Sequence, residues 1–130
     1  MGGYVLREEE MLAGKKFTDG VALGAWPVEF HDPMSGKIVW KYLDVDDDYY
    51  SIPMGCIIAH NLPNLLMAGR CISTTHIAQA STRVIGQAMA LGEAAGMLAA
   101  LSVDSKTDPA KIHPDHLRKS LRDHGAVLEV

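Results

Sequence analysis

Cysteine is scarce in this chain of 130 residues: Cys56 and Cys71 are the only two, and they form neither a C-x-x-C pair nor a dense framework. That usage excludes a disulfide-built scaffold and suits two reduced thiols, so a cytoplasmic setting is expected, with a single Cys56–Cys71 bond left open. Clusters of lysine or arginine are missing too, and the formal net charge is -4. A phosphate backbone demands a positive field, so nucleic acid is not expected as a partner. The opening MGGYVLREEEMLAGKK lacks the basic start, apolar run and small-residue cleavage site of an export signal. Internal repeats and low-complexity tracts are absent.

Long apolar runs are nearly absent. The one candidate, VIGQAMALGEAAGMLAAL from Val84 to Leu101, is about as short as a membrane span can be. It contains Gln87 and Glu93, has no basic flank, and is built of alanine and glycine rather than the Leu, Ile and Phe that favour insertion, so no span is expected. What remains is one domain's worth of chain, long enough to bury a core without metal or disulfide.

That run reads as a helix, yet it carries Gly86, Gly92 and Gly96, each costing roughly 1 kcal/mol relative to alanine. Something is therefore expected to approach its backbone closely. Gly92 and Gly96 lie one turn apart with Ala88 and Ala99 nearby, a smooth stripe suited to packing against a sheet or another helix. Gly69 and Gly86 stand where a ligand is the better reason.

Upstream, the acidic triplet Glu8 to Glu10 and the lysines Lys15 and Lys16 suggest a short helix within Tyr4 to Lys16. The segment WPVEFHDPMSGKIVWKYL reads as a β-hairpin, with turn chemistry from Asp32 to Gly36 and with Ile38, Trp40 and Tyr42 on one face of the return strand. Asp44, Asp46, Asp47 and Asp48 have the alternate spacing of a calcium loop, but Tyr49 and Gly55 stand where its glycine and glutamate belong. A solvated loop is the reading. The runs CIIA and NLLMAG look like strands buried on both faces, the second ending at Ala68-Gly69. Asp108-Pro109 reads as the start of the last helix, which Leu117 and Leu121 stripe and Gly125 ends. His113, His116 and His124 do not converge on one point with a fourth ligand, so they are read as solvent-facing and no metal site is expected.

Between the second apolar run and the glycine-bearing helix lies a polar loop holding Arg70, Ser73, Thr74, Thr75, His76, Gln79, Ser81, Thr82 and Arg83. Ligands of open α/β sheets sit beyond strand ends and anionic groups sit at helix starts, so this loop is the expected site.

The residues from Tyr49 to Leu101 resemble, in order, the patterns Y-x-IP-x-x-CL, NLLVAGRCIS-x-TH-x-A-x-x-S-x-RV and ALGQAAG. These are patterns of the FAD-dependent oxidoreductases of glutathione-reductase-like fold, in particular the bacterial group described by that name alone. The spacing of upstream elements is similar, so the likeness covers most of the chain. It implies an α/β fold, α+β as an isolated piece. Residues 1–60 would be a portion of a substrate domain, with helix and β-hairpin, and residues 61–130 the C-terminal portion of an FAD-binding domain. It also implies that FAD is the cofactor, with Gly69, Arg70 and Ser73 near its pyrophosphate and ribityl. Val84, Ile85, Gly86, Gln87 and Ala88 would open a helix aimed at the flavin pyrimidine, where the dipole and N–H groups stabilise the anionic reduced flavin.

The similar succinate dehydrogenase and fumarate reductase flavoproteins place an arginine where Arg83 stands. The resemblance makes it a ligand of flavin or of a substrate carboxylate, against a structural salt bridge. His76, in a matching TH, would be a proton donor near the flavin or a hydrogen-bonded structural histidine. Two departures stand out: Gly86 and Gln87 occupy places where relatives often have proline and threonine, and no G-x-G-x-x-G occurs, so the N-terminal Rossmann βαβ unit is absent. The expectation is a C-terminal piece of a flavoenzyme that moves hydride to or from a small organic substrate and binds FAD weakly or not at all alone. Its partners would be an N-terminal FAD domain or a second copy. The alternative is a non-enzymatic module that pairs as a homodimer through the Gly92/Gly96 face and the hairpin.

Overall fold

The turn from Asp32 to Gly36 does what its residues specify. Asp32 accepts hydrogen bonds from the Met34 N–H at 2.9 Å and the Ser35 hydroxyl, and Gly36 takes the left-handed backbone at φ 68°. In the computed structural model, which describes residues 1–44 and 48–130, this turn joins β2 (Val28–His31) to β3 (Ile38–Lys41) as an antiparallel hairpin. Directly opposed residues share a face, so Phe30 sides with Val39 while Glu29 sides with Trp40. Val28 is buried, whereas Ile38 and Trp40 on the return strand, and Tyr42 just past its end, stay largely exposed.

A second two-stranded sheet pairs β1 (Gly20–Gly24) with β4 (Tyr50–Pro53), also antiparallel. Gly24 faces the Tyr50 ring, and a Cβ at Gly24 would overlap that ring's Cζ. Only glycine admits that approach. Two strands alone are marginal, and the cover comes from helices: α1 (Glu8–Leu12) on β4, α2 (His76–Thr82) along β2, α3 (Ile85–Asp104) over β1, and α4 (Pro114–Asp123) against both α3 and β1. Gln87, Leu91, Ala94 and Leu98 recur at helical spacing and form the buried face of α3. Leu91 and Leu98 join Tyr50, Ile52, Ile57, Met11, Leu117 and Leu121 in one core, which draws on both halves of the chain.

Several expectations are corrected. The helix within Tyr4–Lys16 shrinks to Glu8–Leu12, because residues before it are held extended: Gly3 and Tyr4 donate to the Ile58 and Gly55 carbonyls, and Leu6 exchanges bonds with Ser73 and Thr75. CIIA and NLLMAG do not form strands buried on both faces. Met54–Ile57 is a 3-10 turn, and the two runs meet only through the Ile58–Leu66 bridge, with Leu65 left exposed. A strand without a ladder on either side does not persist.

The expected polar loop is half helix, since α2 occupies His76–Thr82. Gly92 and Gly96 are exposed, and a Cβ at either would meet open space among the described residues, because α3 buries its opposite face. Pro109 opens only a 3-10 turn; the second proline, Pro114, opens α4, and the His113 side chain accepts from the Asp115 N–H. Gly125, at φ 93°, follows its end.

His113, His116 and His124 are exposed as expected. Asp46 and Asp47 of the acidic run lie outside the described residues, while Asp48 pairs with Lys16 at 2.6 Å. Among the described residues no group of His, Cys, Asp and Glu is placed to hold a metal ion, and no single helix is long and apolar enough to cross a membrane.

Both cysteines are free thiols. Cys56 is fully buried, and that burial pushes its thiol up to about 12, while Cys71 is exposed. A thiol reagent at pH 8 is therefore expected to modify one equivalent quickly, at Cys71, and the second only after denaturation. Two fast equivalents in the folded protein would contradict the packing around Cys56.

Candidate functional site

Gly69 adopts φ 64°, and this left-handed backbone, rather than lack of room, is why glycine stands there: a Cβ would rest 3.7 Å from Ala88, an ordinary contact. The tight turn Gly69–Cys71 is thus laid against the first turn of α3. Arg70 is exposed on it, and its carbonyl accepts from the Gln79 side-chain amide. Ser73 sits behind the turn. It is buried, its N–H donates to the Cys56 carbonyl, and its own carbonyl accepts from Leu6.

Helices α2 and α3 meet at a bend of 94°, through Arg83 and the extended residue Val84. Val84 makes no side-chain cap and the first turn of α3 holds no acidic residue. The helix start therefore keeps its partial positive charge unbalanced by any side chain of its own. Ile85 and Gly86 are exposed there, and nothing lies within 4 Å of the space beside Gly86.

Gln87 points the other way, into the core. With its amide nitrogen donating to the Ser81 carbonyl at 2.7 Å, its oxygen accepts from the Ala25 N–H at 3.3 Å. Close by, the Tyr50 hydroxyl and Ser81 Oγ are 2.6 Å apart, and Ser81 also donates to the Trp26 carbonyl. Burial pushes the Tyr50 phenol up to about 12, which keeps it neutral in this network. The polar cluster locks the bend between α2 and α3 to the strands beneath it.

On the outer side of that bend, β2 and α2 enclose an open cleft of about 390 Å³, lined by Glu29, Phe30, His31, Pro33, His76, Gln79, Ala80 and Arg83. His76 stands edge-on to Phe30, with ring centres 5.5 Å apart. Arg83 is half-buried and donates to the Glu29 carbonyl at 3.2 Å. The structural salt bridge that the sequence left open for it is not formed with any described residue: its contact is with backbone. The Glu29 carboxylate lies instead 3.7 Å from His31 Nε2. One residue before His76, Thr75 Oγ1 is buried and has no hydrogen-bond partner among the described residues.

The fold thus brings His76 and Arg83 into one cleft and sets Gly69, Arg70 and Val84 to Ala88 along its flank, joined through Gln79. Ser73 and the side chain of Gln87 lie beneath that surface. The hairpin's contribution of Glu29, Phe30, His31 and Pro33 is the part that sequence reasoning missed. The hairpin itself was legible, but nothing local says that its β2 edge docks on α2.

Comparison with known proteins gives one result. A family model described as FAD dependent oxidoreductase matches residues 1–121. No curated protein and no solved structure matches the chain.

Proposed function

Because the chain belongs to the FAD-dependent oxidoreductase family, we propose that it supplies the flavin-facing turn and helix start of such an enzyme, together with a wall of its substrate cavity. FAD is the cofactor of the complete enzyme. The observation that carries the reading is the uncapped, open start of α3 lying against the Gly69 turn, one residue from a cleft that holds an arginine and a histidine.

The residues present fit FAD by their donor chemistry. The N–H groups at the start of α3, from Ile85 onward, would face the pyrimidine edge, and Gly86 leaves that approach free of a side chain. Gly69 and Arg70 would lie along the chain that links the ring to its nucleotide. When bound, FAD supplies a two-electron carrier able to accept or release hydride. What the chain does is electrostatic and positional: the helix start favours negative charge beside it, the bend holds Arg83 facing the cleft, and His76 stands where a proton can pass to or from a small organic substrate. Residues 1–60 would then serve the substrate side and residues 61–130 the flavin side. On this reading the nucleotide half of FAD is held by a G-x-G-x-x-G unit outside these residues, and this chain alone binds FAD weakly or not at all.

A charge at the helix start tests the reading. Gly86→Glu is expected to weaken FAD binding roughly fivefold to thirtyfold, from about 1–2 kcal/mol of lost dipole interaction, with no loss of thermal stability, because the site is open and exposed and glutamate is a better residue than glycine in a first helical turn. Flavin fluorescence titration of the chain, or flavin retention by a complete homologous enzyme carrying the same change, reads it out. Unchanged affinity in both would remove the α3 start from the flavin site.

A further inference from the structure

We infer that the cleft between β2 and α2 binds small carboxylates carried on a flat apolar body, with Arg83 as the anchor; the inference builds on the reading of this cleft as the substrate side. Arg83 is half-buried, yet no carboxylate among the described residues pairs with it, and its guanidinium's one hydrogen bond among them is to the Glu29 carbonyl. The remaining N–H groups of a planar guanidinium so fixed are a preorganised fork for a carboxylate, which they can grip by two parallel bonds.

Arg118, which is buried, shows what the chain does where an arginine serves the fold alone. Arg118 donates to the Gly20 carbonyl and to the Glu129 carboxylate, and so carries its counter-charge within the chain. Arg83 has a backbone oxygen and an open cleft.

The rest of the lining defines the ligand's body. Phe30, Pro33 and Ala80 give an apolar floor, and His76 stands edge-on to Phe30, so a planar ring entering beside them meets an aromatic face and an aromatic edge. A volume of about 390 Å³ is at the small end of ligand sites. The titratable groups facing this space are Glu29 and His31 from β2, His76 from α2 and Arg83 just past its end. The one carboxylate among them, Glu29, faces His31 rather than the guanidinium, so it does not fill the anchor.

Benzoate is the probe, with benzamide as its neutral match, titrated into the full chain at low ionic strength while backbone amide NMR shifts are followed. Benzoate is expected to bind saturably with a Kd on the order of 1 mM, shifting Phe30, His76, Gln79 and Arg83, and benzamide roughly tenfold or more weakly. Arg83→Gln should remove that preference, and Arg83→Lys, which keeps the charge but loses the fork, should retain only part of it. Equal binding of the two probes, benzoate shifts elsewhere on the surface, or a preference untouched in Arg83→Lys would overturn the inference, the last deciding the matter if Arg83→Gln fails to fold. No flavin enters this experiment. Benzoate held by Arg83 in a chain whose FAD affinity ignores Gly86→Glu would leave the cleft assigned and the flavin reading refuted.

Discussion

Leu98→Ala is expected to destabilise the protein by about 2–5 kcal/mol, lowering Tm by roughly 10 °C or more at this chain length. Leu98 is fully buried, in the face of α3 that covers β1 and meets α4. Truncation removes methyl groups from a core whose other walls, Tyr50 and Ile52 on β4 and Leu121 on α4, are anchored on two different elements and cannot all move inward. Met89→Ala is the control on the same helix. Met89 is 70 % exposed, so its loss is expected to change stability by no more than about 0.5 kcal/mol. Thermal or urea unfolding of the two variants reads the contrast directly. Equal effects would mean that α3 is not packed through the Leu91–Leu98 face, and the placement of its start beside the Gly69 turn would fall with it.

Gln87→Leu is expected to cost about 2–4 kcal/mol, even though leucine has similar bulk and greater hydrophobicity. The wild-type amide serves the Ser81 carbonyl and the Ala25 N–H together, and leucine leaves both buried backbone groups without a partner, at about 1–3 kcal/mol each. Those two groups belong to the end of α2 and to the connection between β1 and β2, so their release also frees the bend on which Arg83 sits. The benzoate preference should therefore fall together with stability, although Gln87 lines no part of the cleft. Unfolding curves and the NMR titration, run on one sample, make the test. A variant as stable as the wild type would show that Gln87 is not the tie, and one that is destabilised with an unchanged benzoate preference would show that the bend does not depend on it.

Gln87 also shows how sequence and structure divide the explanation. Read along the chain, it is a polar residue at a helix start, in a place where related flavoproteins often carry threonine, and its reading as a flavin neighbour follows from that position. In the fold its side chain turns inward and only its backbone belongs to the exposed helix start. The turn of a helix on which a residue falls is legible locally; which face of that turn points to the core is set by what packs there.

The glycines divide in the same manner. Gly36 and Gly125 were readable as a turn and a helix stop, because the requirement they meet is a local backbone angle. Gly69 meets a local requirement as well, at φ 64°, although the sequence pointed to close approach. Gly92 and Gly96 promised a packed face and present an exposed one, since close packing needs a second surface and these residues alone do not specify it.

By itself, then, the sequence determined the hairpin, the long glycine-bearing helix from Val84 onward, the family resemblance, and the pair of His76 and Arg83 as the chemistry to examine. Each of these rests on local turn chemistry, helical period or motif spacing, which act over a few neighbouring residues. Tertiary structure alone decided that CIIA and NLLMAG remain a turn and isolated bridges, that the bend between α2 and α3 is tied down by Tyr50, Ser81 and Gln87, and that Phe30 of a hairpin some fifty residues upstream completes the cleft around Arg83. The reason is physical: ladder hydrogen bonds, buried polar ties and cleft walls are made between segments far apart in the chain, and their free energy exists only once those segments are brought together.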